Sequence, residues 1–244
     1  MKAIILAAGR GSRMKSLTDE QPKCLVEIHG RALIDWQISA LRQAGIDDIA
    51  IVTGYKSECL SGRAQKEFHN PRWQETNMVS SLECAAEWIE EGDFVVSYSD
   101  IFYAASAVSS LINTAADLAI VYDINWLPLW NRRFGDPLLD AETFRVSAAG
   151  TLLEIGAKPS SIEEIEGQYM GLLYFGKAGW REVIRLRQQL DSSQKDTMHM
   201  TGLLQKIIDA GRISIAAVPY SSDWGEVDTA ADLAAYAQVF KPSI

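Results

Sequence analysis

The first apolar run of the chain ends in Leu6-Ala7-Ala8-Gly9-Arg10-Gly11-Ser12-Arg13-Met14, and Gln21-Pro22-Lys23 follows soon after. Glycines at such a point let the backbone turn tightly and bring several N–H groups against a phosphate with no Cβ in the way. Arg13 and Lys23 can offset the charge of a triphosphate, the guanidinium with two parallel hydrogen bonds. No GKS or GKT follows, so this is not a Walker A loop. Arg13 stands where a dinucleotide fingerprint wants its third glycine. Two glycines and two cations would also make a structural turn. The preceding apolar run and Pro22-Lys23 favour a phosphate grip built on Ala8, Gly9, Gly11, Ser12, Arg13 and Lys23.

A second group of residues could hold a metal. Mg²⁺ takes a few hard oxygen ligands and keeps phosphate oxygens and water in its shell. Asp100 follows an apolar run, Asp228 precedes an apolar helical pattern, and Glu226 is a nearby reserve ligand. Asp228 or Thr229 could instead only cap that helix. A third group lies between Trp126 and Glu142. Aromatic faces attract quaternary ammonium groups by roughly 0.5–2 kcal/mol, and carboxylates accept hydrogen bonds from a primary ammonium. Trp126, Trp130, Asp136 and Glu142 supply both kinds of group. The alternative is that the tryptophans pack a subdomain or a dimer contact. Lys158, in Gly156-Ala157-Lys158-Pro159, reads by itself as a solvated charge. His29, His69 and His199 show no ligand spacing and read as surface or structural residues, and no Ser–His–Asp arrangement can be drawn.

The elements that must position these residues alternate. Residues 2–7, 49–53, 94–98 and 118–122 read as buried strands closed by turn residues. Between them, 33–44, 78–89 and 104–115 carry helical stripes, the first ended by Gly45 and the second with Asn77 placed to cap it. Trp36 and Trp88 fall within such stripes and read as core. Alternation of this kind predicts an α/β fold with a doubly wound, mostly parallel Rossmann-like sheet and right-handed crossovers. Ligands then sit beyond the carboxyl ends of the strands, where the Gly9–Gly11 loop and Asp100 both fall. The helix starting near Asn77 would face that crevice, with Asn77, Ser80 and Ser81 as candidates for contact with a base. Residues 123–142 look irregular, 144–146 and 151–155 form a hairpin through Gly150, and 169–175 and 213–218 read as strands. Residues 180–190, 201–210 and 230–240 read as helices. The simplest organisation is one domain over 1–244, with a nucleotide-binding half at 1–122, an elaborated acceptor-binding half at 123–228 and a C-terminal helix at 229–244.

Bulk properties agree. The chain has 244 residues, 48% of them hydrophobic and 23% charged, enough for a full core without disulfides. Cys24, Cys59 and Cys84 form no CxxC pair, which points to a reducing compartment and away from zinc. The N-terminal apolar run is too short for a signal peptide and no run approaches the ~18 residues of a membrane span, so a cytoplasmic protein without membrane contact is expected. A net charge of −9 disfavours nucleic acid. Residues 1–31 nevertheless carry a net charge of +3, as a small anionic ligand would require.

The pattern LAAGxGxR followed by PK resembles the nucleoside-diphosphate-sugar pyrophosphorylase type of nucleotidyltransferase. Other segments narrow the resemblance: Asn70-Pro71 with Trp73, Thr76-Asn77-Met78-Val79-Ser80-Ser81-Leu82, and Arg133-Phe134 through Asp140-Ala141-Glu142-Thr143-Phe144. Gly167-Gln168-Tyr169-Met170-Gly171-Leu172 and Trp224-Gly225-Glu226-Val227-Asp228 extend it to nearly the whole chain. Together they are similar to small bacterial cytidylyltransferases acting on phosphocholine, 2-aminoethylphosphonate or related phosphorylated amines. The resemblance implies CTP and such an amine as substrates, pyrophosphate as product, and Mg²⁺ on Asp100 and Asp228. It implies Arg13, Lys23 and Lys158 as catalytic cations, Lys158 meeting the acceptor's phosphate. Trp126, Trp130, Asp136, Glu142, Tyr169 and Gly171 would line the acceptor side. A sugar 1-phosphate acceptor and a non-catalytic nucleotide-binding regulatory module are the competing readings, and a homodimer is left open.

Overall fold

The computed structural model describes residues 1–90 and 92–239, with side chains as far as Tyr236. The strands are β1 (Lys2–Ala7), β2 (Glu27–Ile28), β3 (Arg31–Ala32), β4 (Asp48–Thr53), β5 (Lys66–His69), β6 (Phe94–Tyr98), β7 (Ile101–Tyr103), β8 (Leu118–Asp123), β9 (Phe144–Val146), β10 (Leu152–Ile155), β11 (Gln168–Phe175), β12 (Ala216–Tyr220) and β13 (Trp224–Glu226). The helices are α1 (Leu33–Gln43), α2 (Met78–Glu83), α3 (Ala86–Ile89), α4 (Ala105–Ile112), α5 (Trp126–Phe134), α6 (Lys177–Gln188), α7 (Ser192–Thr197), α8 (Met200–Ala210) and α9 (Ala230–Val239).

Seven strands form one sheet in the order β12-β8-β11-β6-β1-β4-β5. All run parallel except β11, which lies antiparallel between β6 and β8. Ile4, Ile5, Ile51, Val52, Val95 and Val96 are fully buried, as continuous apolar strands covered on both faces must be. The chain moves outward from β1 through β4 to β5, then returns to place β6 on the other side of β1. That reversal opens a crevice between β1 and β6, where doubly wound folds place their ligands. Leu6 pairs with Tyr98 in this register, so the loops after both strands leave at one level. A small antiparallel pair then carries the C-terminal carboxylates back. β13 lies on β7 with Glu226 opposite Ile101, and the Val227 N–H donates to the Asp100 carbonyl at 2.9 Å.

The doubly wound, mostly parallel sheet and the 144–155 hairpin are as the sequence predicts. Four details differ. The expected irregular stretch at 123–142 contains α5, because Pro128 falls in its first turn, where no backbone N–H has an intrahelical partner. The expected helix over 78–89 breaks at Cys84-Ala85, where Cys84 and Ala85 donate to carbonyls three residues back and Ala85 leaves helical geometry. The strand expected at 213–218 is β12, three residues later, an edge strand on which Pro219 removes a donor the sheet does not use. Finally, the short strands β2, β3, β5, β7 and β13 and the helix α7 are not expected from the sequence. The last helix begins at Ala230 as expected, and Phe240 lies outside the described residues.

Candidate active site

β1 ends at Ala7, and the chain enters the loop through Gly11 at φ 73°, ψ 52°. A Cβ at Gly11 would stand 2.6 Å from Lys23 Cβ. The glycine therefore both permits the left-handed turn and lets Lys23 run past the loop. At Gly9 a Cβ would meet nothing within 4 Å, so this residue faces open space. The loop lines a cavity of about 300 Å³ over the switch point. Ala8, Gly9, Gly11, Ser12, Arg13, Lys23, Asn77, Ser81 and Asp100 all border it, joined by Trp73, Thr76 and Tyr98, to which no role was given from sequence.

Ser80 does not reach the cavity. It accepts from Arg187 and donates to the Lys195 carbonyl, one helical step round α2 from Ser81. Asn77 starts α2, but its side chain caps nothing there and donates to the Thr197 carbonyl at 3.1 Å.

Lys23 is 8% exposed, and its ammonium donates to Asp100 Oδ2 at 2.8 Å and Asp228 Oδ1 at 2.6 Å. Burial works against its charge, but the two carboxylates raise its pKa to about 12. Arg13 donates to Asp228 Oδ1 at 2.8 Å while remaining largely exposed. Beneath them lies Arg133 of α5, its side chain fully buried. Its Nη1, Nη2 and Nε donate to Glu226 at 3.0 Å, Asp228 at 3.1 Å and Asp232 at 3.0 Å. Asp232 in turn accepts from the Asp228 and Thr229 N–H groups. Thr229 is thus the cap of α9, one of the two residues expected to cap it: its Oγ1 accepts from the Asp232 N–H at 3.3 Å in a reciprocal capping box, and Asp228 is free to face the cavity. Burial alone would raise Asp228, yet Lys23, Arg13 and Arg133 hold it below the ordinary carboxylate value. Glu226 moves the other way: burial, then Asp228 and Asp100, push it up to about 7.

One ligand oxygen each from Asp100, Glu226 and Asp228 lies within 4.8 Å of the others. Asp100 Oδ1 is buried with no hydrogen-bond partner among the described residues. An all-oxygen set with one acceptor unused fits a hard divalent cation such as Mg²⁺.

A second cavity, of about 190 Å³, adjoins the first through Arg13, Met78 and Tyr98. Asp228, Glu226, Glu142, Tyr169 and Gly171 border it, together with Asp140, Gln168, His199 and Thr201. Gly171, at φ 78°, lies where a Cβ would strike the Tyr98 ring, which meets Tyr169 edge-on at 5.8 Å. Burial raises both Glu142 and Asp140.

Four expected acceptor residues are not there. Trp126 and Trp130 are 4% and 0% exposed and pack against each other, with Trp224 and Phe134 also on Trp130. The helical period of α5 turns this pair into the core. Asp136 is exposed and caps a short turn by accepting from the Leu138 N–H. Lys158 is exposed and borders neither cavity. His199, expected as a surface or structural residue, borders the second cavity with its Nε2 3.3 Å from Asn77 Nδ2. From the sequence, Arg133 and Asp140 stand out only as parts of a motif. An amphipathic reading of 126–134 would have placed Arg133 one turn from Trp130, on the same buried side.

A cradle of cations at a switch point, a carboxylate cluster facing it and a second adjoining cavity are the parts that a nucleotidyltransferase requires. The chain belongs to the MobA-like NTP transferase family, whose domain matches residues 3–164. It is 40% identical, over 96% of its length and 98% of the relative's, to a CTP:phosphoglutamine cytidylyltransferase of Campylobacter jejuni. It is 26% identical to a 2-aminoethylphosphonate cytidylyltransferase of Lancefieldella rimae, over 96% of its own length and 91% of that chain. The fold matches the inositol-1-phosphate CTP transferase of T. maritima with a TM-score of 0.76 at 19% identity, over 98% of this chain and 96% of that one. No helix among the described residues is long and apolar enough to cross a membrane.

Proposed function

We propose that the chain is a Mg²⁺-dependent cytidylyltransferase that joins CTP to a small phosphorylated or phosphonylated amine and releases pyrophosphate. One observation carries the reading: the two cavities meet at Arg13, with Lys23 and Asp100 in one and Glu226 and Asp228 in the other. A triphosphate in the first and an anionic acceptor in the second would bring their phosphorus centres to that junction.

An oxygen of the acceptor's phosphate or phosphonate attacks the α-phosphorus. The bond to the β-phosphate bridge breaks, and pyrophosphate leaves in line. The nucleophile is already an anion, so no general base is required, and the task left to the protein is positioning and charge stabilisation. Lys23, held protonated, and Arg13 offset the charge of the leaving pyrophosphate and of the transferring group. Gly9 and Gly11 allow backbone N–H groups to approach the phosphates. Asp100, Glu226 and Asp228 would hold Mg²⁺, which when bound neutralises phosphate oxygens and lowers the repulsion between two anions. Arg133 keeps Asp228 and Glu226 in place from below. Glu142 and Asp140, with the Tyr98 and Tyr169 rings, offer an ammonium group its counter-charge. The names of the two relatives that match nearly full length support CTP and a phosphorylated amine.

The test is a matrix of CTP, UTP, ATP and GTP against phosphocholine, 2-aminoethylphosphonate, phosphoglutamine and glucose 1-phosphate, scored by pyrophosphate with and without Mg²⁺. Release confined to CTP, a phosphorylated amine and Mg²⁺ is expected. Preference for glucose 1-phosphate, or nucleotide binding with no release on any acceptor, would overturn the reading.

A further inference from the structure

The second cavity does not end at Glu142. Glu142, His199 and Thr201 also border a further groove of about 440 Å³, which runs past Gly156 to Lys206 on α8. Three polar groups of this continuous space lack a counter-charge or a hydrogen-bond partner. Glu142 is half-buried and hydrogen-bonds Thr201 but has no cationic partner among the described residues, and the buried Gln168 Oε1 beside it receives no hydrogen bond. Lys206 is exposed to the groove and makes no ion pair among the described residues. Read from the reaction centre outward, the walls therefore present a cation (Arg13), two carboxylates (Asp140 and Glu142) and a second cation (Lys206).

A ligand complementary to that sequence carries an anion, then a cation, then an anion. From it we infer that the acceptor is a phosphorylated α-amino acid, its phosphate at Arg13, its primary ammonium at Glu142 and Gln168 and its carboxylate at Lys206. A trimethylammonium group has no N–H to give to Glu142 or to Gln168 Oε1, and Trp126 and Trp130, the aromatic residues expected to cage it, are in the core. An ammonium that donates satisfies both acceptors at once, which matters because a buried polar atom left unpaired costs binding. The groove at Lys206 would be unused by an acceptor that ends at its amine.

The inference rests on the cytidylyltransferase reading, and the experiment separates the two. Pyrophosphate release from CTP is measured with two matched pairs that differ only in the carboxylate: phosphoserine against phosphoethanolamine, and phosphoglutamine against its decarboxylated counterpart. Phosphocholine is run beside them. In at least one pair the carboxylate should lower KM about fivefold, the size of an exposed ion pair, and phosphocholine should be the poorest acceptor. Lys206→Met should abolish that difference by raising KM for the carboxylate-bearing member alone, with kcat unchanged, and Lys206→Arg should retain it. Equal or better use of the carboxylate-free members, a preference for phosphocholine, or an equal effect of Lys206→Met on both members would overturn the inference while leaving the cytidylyltransferase reading intact. No pyrophosphate from CTP with any acceptor would overturn both.

Discussion

Arg133 holds three carboxylates from one buried guanidinium, and Arg133→Met removes that cation while keeping most of the side chain's volume. Asp228 and Asp232, with side chains 3% and 4% exposed, then lose their buried counter-charge. Breaking a buried pair by deleting one partner costs about 3–5 kcal/mol. Asp228 keeps Lys23 and Arg13, and Asp232 keeps the Asp228 and Thr229 N–H groups, so the low end, about 3 kcal/mol, is expected. For a domain of this length each kcal/mol moves Tm by about 2–4 °C, so the melting temperature should fall by about 6–12 °C. Millimolar Mg²⁺ should raise Tm more in the variant than in the unmodified protein, because three carboxylates without their guanidinium attract a divalent cation more strongly. Arg133→Lys, which keeps the charge but not the three-pronged geometry, should fall in between. The assay is thermal unfolding followed by circular dichroism with and without Mg²⁺. A Tm within about 2 °C of the unmodified protein would refute the claim that Arg133 organises the carboxylate cluster.

Gly11→Ala should cost about 1–2 kcal/mol from its positive φ and, by pushing Lys23 aside, lower kcat about 100-fold; steady-state kinetics with unchanged kcat would show that the loop does not set Lys23. Trp130→Ala should destabilise the protein by about 3–5 kcal/mol by opening a core cavity, whereas Lys158→Ala should leave Tm and acceptor KM unaltered; urea unfolding and acceptor titration distinguish these from the reverse assignment. Because Glu226 has its pKa raised in the folded protein, its contribution to stability is complete below pH 4.5 and fades as pH rises through about 7. Asp228 is shifted the other way and loses its contribution only as pH falls below the ordinary aspartate range. In metal-free buffer, Glu226→Gln should therefore flatten the pH dependence of Tm between 4.5 and 7, and a slope identical to that of the unmodified protein would count against the shift.

Local patterns carried most of the phosphate side. Gly9, Gly11 and Arg13 lie within six residues of the end of β1, with Lys23 ten further on, and a strand-to-glycine turn is decided by the backbone of that segment alone. Asp100 and Asp228 are far apart in the chain, and the β7–β13 pairing that unites them has no local signature. Their joint placement came from the family resemblance. The acceptor side was less legible because it depends on which way a side chain faces. Trp126 and Trp130 have the composition of an ammonium cage, but the period of α5 sends them inward and brings Arg133 under the carboxylates. Ser80 and Ser81 differ by one step, which on a helix is enough to point one at Arg187 and the other at the cavity. Lys158 belongs to a turn whose direction follows from the packing of the β9–β10 hairpin, which the residues of the turn do not encode.

The most direct test of the account is ³¹P NMR of CTP incubated with Mg²⁺ and a phosphorylated amine. The account predicts a pyrophosphate resonance growing in step with a new diphosphate-linked pair from the α-phosphorus and the acceptor's phosphorus, and neither signal with Lys23→Ala. Orthophosphate, CMP formed with water as the acceptor, or the same product in the Lys23→Ala protein would contradict it.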